Sequence, residues 1–515
     1  MCSIVGAYHF SSRCSPQSLA ASAETGLAVL HNRGPDESSV EAVSDFCVLG
    51  GNRLAVRGGP GIGSMPFRLE GNICYYNGEI YNFRSWDGSA VSDGSVILGV
   101  YKEDGVSAFA RFDGEFAISI WDSKEESIIL ARDPFGTKPL YFSVNGDRLL
   151  WASSASAIHA MEPHLRCQAV ASPVRQHTTT VQEPYTSFSG IWALPPGHAL
   201  IATHHGVRFH CFHHWSTAEP VGSSVDRVFE TLEESLRSRL DYDGTLAVPM
   251  SGGIDSGIIA FVADRLNIRY HIFSVVEMFG RATEETEAIH RRIERLRNVS
   301  EVTLLSCGEE EYGAALRDMY LPDYYDFETY DNGNILVHAL CSEVRRRGLR
   351  VMIDGAGGDE LFHGYRFRDD FAPVAGWPRT WDRTPSYYSL YSTLLAWTAK
   401  TERAGGHFSI ETRFPYQNLH LMMAATSLRI TDSLKWPLRK FLLSQPNYGP
   451  PTQLDVDGKY GFSIKHRDLN LVLEDLKIAW RTQNDVKTEM LVRPAMFPFL
   501  IGSDSTCNLQ ELRRN

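Results

Sequence analysis

Several features that would define a membrane, secreted or nucleic-acid-binding protein are missing from this chain of 515 residues. No run approaches the roughly eighteen consecutive apolar residues of a membrane span. The N-terminus lacks the basic region and apolar stretch of a signal peptide. Long basic blocks are absent and the formal net charge is −12, which argues against nucleic acid as the main partner. We therefore expect no membrane or nucleic-acid partner.

Paired cysteines are also lacking. The nine cysteines are scattered without a Cys-x-x-Cys pair, and this pattern fits reduced thiols better than a disulfide framework. We therefore expect a cytoplasmic location. Hydrophobic residues make up 43% and charged residues 22% of the chain, as in a soluble globular protein. The length predicts two or three domains.

What is present begins at the second residue. Cys2 has a small side chain, so aminopeptidase removal of Met1 is expected and would give Cys2 a free α-amine. That amine has a pKa of roughly 7.7–8.0 and can serve as general base for the thiol of the same residue. A lone cysteine is more often buried and inert, so the inference depends on the residues that follow.

Four downstream segments supply what a thiol nucleophile needs for amide hydrolysis. An Asn side chain with a Gly backbone N–H can stabilise an oxyanion. An Arg can bind an α-carboxylate, and acidic groups can hold an α-ammonium. Singly, Asn77-Gly78 would be a hairpin turn and Arg53 a surface charge, so only the set is informative. The segments are residues 32–36, 51–56, 76–82 and 92–94.

Together these segments resemble the N-terminal-nucleophile glutaminase domain of class II amidotransferases, most closely that of asparagine synthetases. The likeness continues through residues 112–117 and 131–141. Asn32 departs from it, since the family usually has His there. The resemblance implies Cys2 as nucleophile, Asn77 and Gly78 as oxyanion hole, Arg53 as ligand of the glutamine carboxylate, and Glu79 and Asp93 as ligands of the α-amino group.

The second half of the chain contains another informative loop. Residues 248–257 follow a predicted strand and open a predicted helix, where backbone N–H groups and the helix dipole favour an anion. In this context Ser-Gly-Gly-x-Asp-Ser resembles the pyrophosphate loop of ATP pyrophosphatases. The chain lacks the alternative Gly-Lys-Ser/Thr loop, so the resemblance implies cleavage of ATP to AMP and pyrophosphate.

Further motifs extend this resemblance to about residue 465. They are residues 353–365, residues 411–416, Lys435 with Arg439, and residues 459–463. The resemblance implies ATP binding by Ser251, Gly252, Gly253, Asp255 and Ser256, adenosine contacts from Pro249, Val275, Asp354 and Gly355, Mg²⁺ binding by Asp255 and Asp359, a catalytic role for Lys459, and acceptor binding by Arg413.

The distribution of predicted elements agrees with two domains. The first two hundred residues read as short strands, including 116–121, 127–130 and 148–152, which suits packed antiparallel sheets. From residue 225 strands and helices alternate, which predicts a parallel sheet, and the chain becomes mostly helical after about residue 380. The resemblance implies an N-terminal αββα nucleophile-hydrolase sandwich over residues 1–210. It implies an α/β ATP-pyrophosphatase domain with a helical C-terminal part over residues 220–515.

The combined chemistry is that of a glutamine-dependent amidotransferase using ATP and Mg²⁺, with glutamine and a small carboxylic acid as substrates and a possible homodimeric assembly. Free ammonia is mostly protonated at neutral pH, so a dry passage between the sites is required. A β-lactam synthetase reading fails because Cys2 is present and because Ala356 and Thr412 replace the Tyr and Glu of those enzymes. Two alternatives stay open: an adenylating cyclase of the lasso-peptide type and a non-catalytic regulator.

The acceptor is the least determined part. Asparagine synthetases carry Glu where this chain has Ala356, and an Arg upstream that residues 329–340 lack. An aspartate pocket must pair both an ammonium and a carboxylate, and an unpaired group costs on the order of 1–3 kcal/mol. We therefore favour a larger or less zwitterionic carboxylic acid as the acceptor, with aspartate itself as the alternative.

A histidine cluster near residue 210 could also suggest a metal site, but we expect a polar hairpin there. Its members are His204, His205, His210, Cys211, His213 and His214.

Overall fold

The computed structural model describes residues 1–11, 15–57, 61–164, 186, 188, 190–213, 224–283, 285–319, 321, 332–362, 394–426, 435–448 and 505–507. Lys459, which has a predicted catalytic role, and His214 of the histidine cluster therefore lie outside the described residues. Among the helices of these ranges, none is both long and apolar enough to cross a membrane.

Twelve strands and three α-helices are described in the first 213 residues. The helices are α1 (Pro16–Val29), α2 (Ile97–Asp104) and α3 (Ala155–Met161). The strands are β1 (Ser3–His9), β2 (Glu37–Ser44), β3 (Cys47–Arg53), β4 (Phe67–Leu69), β5 (Asn72–Ile80), β6 (Gly114–Asp122), β7 (Ser127–Arg132), β8 (Tyr141–Asn145), β9 (Arg148–Ala152), β10 (Trp192–Ala193), β11 (His198–Thr203) and β12 (Gly206–Cys211).

These strands form two antiparallel sheets that pack face to face. One sheet has the order β10-β8-β9-β1-β3-β2, and the other β12-β11-β7-β6-β5-β4 with β19 (Ser505–Cys507) added beside β12. Apolar residues such as Ile4, Tyr75 and Leu130 form the core between them. The opposite faces are covered by α1 and α3 on the first sheet and α2 on the second. The predicted αββα sandwich is confirmed.

The second half contains a parallel sheet. Its strands are β13 (Leu246–Pro249), β14 (Tyr270–Met278), β15 (Arg281–Ala282), β16 (Val299–Cys307), β17 (Val351–Ile353) and β18 (Glu411–Arg413). Strands β14, β13, β17 and β18 pair in that order and in parallel, β16 pairs in parallel with β14, and the short β15 is antiparallel. The sequence placed residues 411–413 in a helical region, but they form an edge strand of this sheet.

Helices cover both faces of the parallel sheet. Val248 and Ile353 face one apolar core, whereas the alternate residues Ala247 and Met352 face the other, because successive strand residues point to opposite faces. The predicted α/β domain is therefore confirmed. The helices are α4 (Val225–Leu240), α5 (Ile254–Arg265), α6 (Thr286–Ile293), α7 (Glu309–Asp318), α8 (Asn332–Arg346), α9 (Gly358–Leu361), α10 (Leu394–His407), α11 (Leu419–Thr426) and α12 (Trp436–Leu443).

The strand order positions the second site. Strand β13 lies between β14 and β17, so the chain leaves the carboxyl ends of β13 and β17 toward opposite sides. In open α/β sheets ligands bind in the crevice formed where the strand order reverses in this way. The loop after β13 carries Ser251 to Gly253 and the loop after β17 carries Asp354 to Gly357, so both predicted ATP loops lie at this crevice.

Candidate functional sites at the domain boundary

The first site lies where the two antiparallel sheets meet. Cys2 precedes β1 of one sheet and Asn77 lies on β5 of the other. The backbone N–H of Cys2 donates to Oδ1 of Asn77 at 3.0 Å. Asn77 is fully buried, and its Nδ2 has no hydrogen-bond partner among the described residues. A buried, unsatisfied N–H donor beside a thiol is what an oxyanion hole needs before substrate arrives.

Gly78 is fixed by its neighbour strand. Its φ is 153°, and a Cβ there would lie 2.0 Å from the carbonyl oxygen of Glu115. Only glycine fits this close approach of β5 and β6. Asn77 and Gly78 lie within β5 and not in the hairpin turn that the dipeptide alone would suggest. Burial raises the pKa of the Cys2 thiol, while the neighbouring α-amine and a Leu54 backbone hydrogen bond lower it.

The structure brings the predicted glutamine ligands to the same end of the sandwich. Arg53 ends β3, Glu79 lies on β5, and Asp93 opens the 3₁₀-helix Asp93–Val96. Asp93 accepts hydrogen bonds from the Ile80 N–H at 2.8 Å and from the Tyr76 hydroxyl. Burial raises the pKa of both Glu79 and Asp93. A buried cation such as an α-ammonium would lower this cost, because it stabilises the ionised carboxylates.

Arg53 already has partners in this structure. Its Nη1 donates to Oε1 of Glu37 at 2.8 Å, and its Nη2 donates to the carbonyl of Ile62. An incoming carboxylate would therefore share Arg53 with Glu37. The sequence prediction did not include Glu37, and the only available signal was its position directly after the Arg-Gly-Pro-Asp segment.

The second site is organised around an ammonium group. Nζ of Lys435 contacts Oδ2 of Asp255 and lies 2.8 Å from Oδ1 of Asp359. Burial lowers the pKa of Lys435, but the two carboxylates outweigh this and raise it. Oδ1 of Asp255 is buried without a hydrogen-bond partner among the described residues. Two carboxylates that converge on one cation, with an oxygen to spare, fit a Mg²⁺ ion.

The glycine-rich loop of this site is held by hydrogen bonds to the side chains of Ser251 and Glu285. The Gly252 N–H donates to Oε2 of Glu285 at 2.9 Å, and the Gly253 N–H donates to Oγ of Ser251 at 3.0 Å. Ser256 Oγ lies 3.1 Å from Ser251 Oγ. The carboxylate of Glu285 thus accepts the Gly252 N–H, which the predicted pyrophosphate loop would offer to a phosphate oxygen.

The remaining predicted ATP residues differ in whether they lie at the crevice or pack into the apolar core. Pro249 ends β13, and Asp354 and Gly355 follow β17, so these three lie at the crevice. Asp354 accepts from the Ala356 N–H at 2.7 Å and from the Thr401 hydroxyl at 3.1 Å. Val275 lies near the carboxyl end of β14, but its side chain packs into the apolar core with Met352.

Arg413 is the last residue of β18, and its side chain extends to Glu79 of the first domain. Its guanidinium is fully buried and contacts Oε1 of Glu411 at 2.8 Å, Oε1 of Glu79 at 3.3 Å, and the carbonyls of Arg239 and Asp241 at 3.1 Å. None of these contacts is to the loop that follows β17. The structure thus brings Arg413 to the predicted glutamine site, and its predicted acceptor contact stays a prediction.

A buried polar interface joins the two domains, and sequence reasoning missed it. Lys138 Nζ lies 3.3 Å from Glu402 and 3.4 Å from Glu115, and it donates to the Thr412 carbonyl at 2.9 Å. Arg33 pairs with Glu402 at 2.6 Å. The interdomain partners are 264 to 369 positions apart, so no local pattern could pair them. The signal was the presence of Glu115 and Lys138 in otherwise apolar segments.

The histidine cluster forms the predicted hairpin. His204 and His205 occupy the turn between β11 and β12, and His210 and Cys211 end β12. Within the described ranges, no group of three or more His, Cys, Asp or Glu side chains is arranged to hold a metal ion.

Comparison with known proteins gives two family matches. The family described as "Glutamine amidotransferase domain" matches residues 1–215, and the one described as "Asparagine synthase" matches residues 227–404. The chain is 28% identical to the amidase chry2 of Gibberella zeae over 394 residues, which cover 69% of this chain and 57% of that protein.

Two further relatives have similar identities. The amidase chyE of Penicillium rubens is 28% identical over 390 residues, which are 69% of this chain and 57% of that protein. The glutamine-hydrolysing asparagine synthetase B of Escherichia coli is 25% identical over 465 residues, which are 84% of this chain and 76% of that protein. The chain thus spans less than two thirds of the length of the two amidases.

Proposed function

The chain has the two-domain architecture of the glutamine-dependent asparagine synthetase family, and we propose that it is an ATP-dependent amidotransferase. Glutamine and water give glutamate and ammonia at the first site. At the second site a carboxylate and ATP give an acyl-adenylate and pyrophosphate. Ammonia then displaces AMP to give the amide.

The observation that carries the first reaction is the hydrogen bond between half-buried Cys2 and buried Asn77. Once Met1 is removed, the Cys2 nitrogen that donates to Asn77 becomes an α-amine that can accept the thiol proton. The thiolate attacks the glutamine amide, and Nδ2 of Asn77 with the Gly78 N–H stabilises the oxyanion. Arg53 binds the glutamine carboxylate, while Glu79 and Asp93 bind its ammonium.

For the second reaction, Asp255 and Asp359 would hold Mg²⁺, and the ion would supply positive charge to neutralise the pyrophosphate. Lys435 would turn from these carboxylates to the phosphates, and the loop amides of Gly252 and Gly253 would bind them at the start of α5. Pro249, Val275, Asp354 and Gly355 are proposed to surround the adenosine, and Lys459 to lie beside the acyl-adenylate.

Removal of Met1 also supports transfer between the sites. Met1 is 1% exposed and lies at the domain interface, where a Cβ on Gly405 of α10 would come 3.2 Å from its Cε. Burial lowers the pKa of its amine to about 6. Processing would therefore both free Cys2 and open a space between Cys2 and the second domain, as a dry passage for ammonia requires.

The proposed acceptor is a carboxylic acid other than aspartate. Ala356 in the loop after β17 offers no side-chain hydrogen bond, and the guanidinium of Arg413 already has four partners. A panel of carboxylic acids tested for AMP release with glutamine would identify the acceptor, and turnover of aspartate with a KM below about 1 mM would overturn this part.

The test of the whole function is Cys2→Ala. We expect glutamine-dependent amide formation to fall by at least about a thousandfold, with ammonia-dependent formation unchanged. Glutamine use by Cys2→Ala would contradict the glutaminase assignment. AMP release that needs neither glutamine nor ammonia would indicate the cyclase alternative. Absence of both glutamine hydrolysis and AMP release in the unmodified protein would indicate the regulator.

A further inference from the structure

Arg413 connects the two sites by direct contacts. From the synthetase domain its guanidinium reaches across the interface to Glu79, at 3.3 Å, and Glu79 is the proposed ligand of the glutamine ammonium. Its shorter ion pair, 2.8 Å, is with Glu411 two residues earlier. The side chain therefore joins a carboxylate of the glutaminase site to a carboxylate of its own strand.

The backbone of Arg413 contacts the other site. Its carbonyl accepts the N–H of Asp354 at 2.9 Å, and Ile353 pairs with Arg413 in the register of β17 and β18. Asp354 opens the loop proposed to contact the adenosine. The next residue reinforces the crossing, because the Phe414 N–H donates to Oε1 of Glu115 at 2.8 Å. Arg413 thus contacts both Glu79, the proposed ammonium ligand, and Asp354 of the proposed nucleotide loop.

We propose that Arg413 is a positioning residue that couples glutamine binding to nucleotide binding, an inference that rests on the proposed function. A glutamine ammonium competes with the guanidinium for Glu79 and shifts Arg413 toward Glu411. Because the Arg413 carbonyl holds the Asp354 N–H, β18 carries this change to the nucleotide loop.

Charge explains why Glu79 responds to its occupant. Burial raises the pKa of Glu79, Glu411 raises it further, and Arg413 lowers it. Glu411 is the reverse case, since Arg413 and other cations lower its pKa despite burial. Arg413 therefore stabilises the ionised form of Glu411 fully and that of Glu79 only partly. A glutamine ammonium at Glu79 supplies the remaining positive charge. By linkage, nucleotide must change glutamine affinity by the factor by which glutamine changes nucleotide affinity.

The experiment measures this factor by calorimetry. All proteins carry Cys2→Ala so that glutamine is not consumed, and the nucleotide probe is α,β-methylene-ATP with Mg²⁺. We expect the nucleotide to lower the Kd of glutamine by at least about fivefold, within the usual range for coupled sites. Adding Arg413→Gln should bring the ratio to within twofold of one while each ligand still binds alone.

Two further variants separate coupling from structure. Arg413→Lys keeps the charge but cannot reach all four partners, so it should retain a reduced ratio. It replaces Arg413→Gln as the test if that variant does not fold. Arg350→Gln removes another interdomain ion pair, to Asp36 at 2.6 Å, without touching Glu79, and should leave the ratio unchanged.

The outcomes are distinct. A ratio within twofold of one in the Cys2→Ala parent, or a full ratio in Arg413→Gln, overturns the coupling but leaves the proposed function intact. A parent that binds neither glutamine nor the nucleotide overturns both.

Discussion

The two candidate sites are built in different ways. The proposed oxyanion hole of the first site is formed by groups of packed strands. Asn77 is buried and its Nδ2 has no hydrogen-bond partner among the described residues, while a Cβ on Gly78 would lie 2.0 Å from the carbonyl oxygen of Glu115. The proposed ATP site is formed by loops whose groups already pair with one another, as in Lys435 with Asp255 and Asp359, and Gly252 with Glu285.

This difference predicts different responses to mutation. A site set by sheet backbone is pre-organised, so loss of one group removes its own contribution and little else. A site held by exchangeable charges must release internal pairs before ligand binds, so part of each ligand's binding free energy replaces those pairs. Mutations in the proposed oxyanion hole should therefore lower kcat, and mutations in the second site should change affinity.

Asn77→Ala gives the largest expected effect of this comparison. It removes the donor aimed at the oxyanion and the acceptor of the Cys2 nitrogen, so kcat for glutamine hydrolysis should fall about 10²–10³-fold. Ammonia-dependent synthesis should not change. The matched control is Asn52→Ala, another buried Asn, on β3, whose Nδ2 donates to the Leu27 carbonyl at 2.9 Å. This control should lose stability but keep kcat, and a loss of less than tenfold in Asn77→Ala would contradict a pre-organised oxyanion hole.

The glutaminase half was the more predictable from sequence, for a physical reason. Its residues are close to strands with clear boundaries, and the predicted strands 116–121, 127–130 and 148–152 lie within β6, β7 and β9. The close approach at Gly78 could not be predicted, because it depends on pairing with β6, far along the chain. The same holds for Lys138 and Glu402, which meet only after two domains have packed.

Asp255→Asn gives an intermediate effect at the second site. The amide keeps the shape but loses the charge that attracts Mg²⁺ and Lys435. Mg²⁺-dependent binding of α,β-methylene-ATP should weaken at least about tenfold, or about 1.4 kcal/mol. The control is Asp264→Asn at the far end of the same helix, where Asp264 accepts the N–H groups of Arg297 and Asn298. Equal loss of nucleotide affinity in both variants would indicate a general effect on α5 and not a metal site.

The second half was predictable in its sheet but not in its domain contacts. The alternation of strands and helices from residue 225 predicted a parallel sheet, and β13, β14, β16 and β17 form one. Strand β18 was missed because its three residues are too few to show the alternation of apolar and polar residues that indicates a strand. Its role followed only from the pairing with β17, which turns Arg413 toward the glutaminase domain.

Glu37→Gln gives the smallest and most diagnostic effect, because it tests whether the first site is as pre-organised as its backbone suggests. Glu37 holds Nη1 of Arg53 at 2.8 Å and its side chain is 28% exposed, so the pair has the modest strength of a partly solvated salt bridge, about 0.2–1 kcal/mol. If the glutamine carboxylate must share Arg53 with Glu37, the neutral amide should lower the KM for glutamine by up to about fivefold and leave kcat unchanged. Glu41→Gln on the same strand, which removes the surface pair with Arg68 at 2.9 Å, should change neither constant. A rise in KM in Glu37→Gln would instead mean that Glu37 orients Arg53, and the glutaminase site would then be pre-organised in its side chains as well as in its backbone.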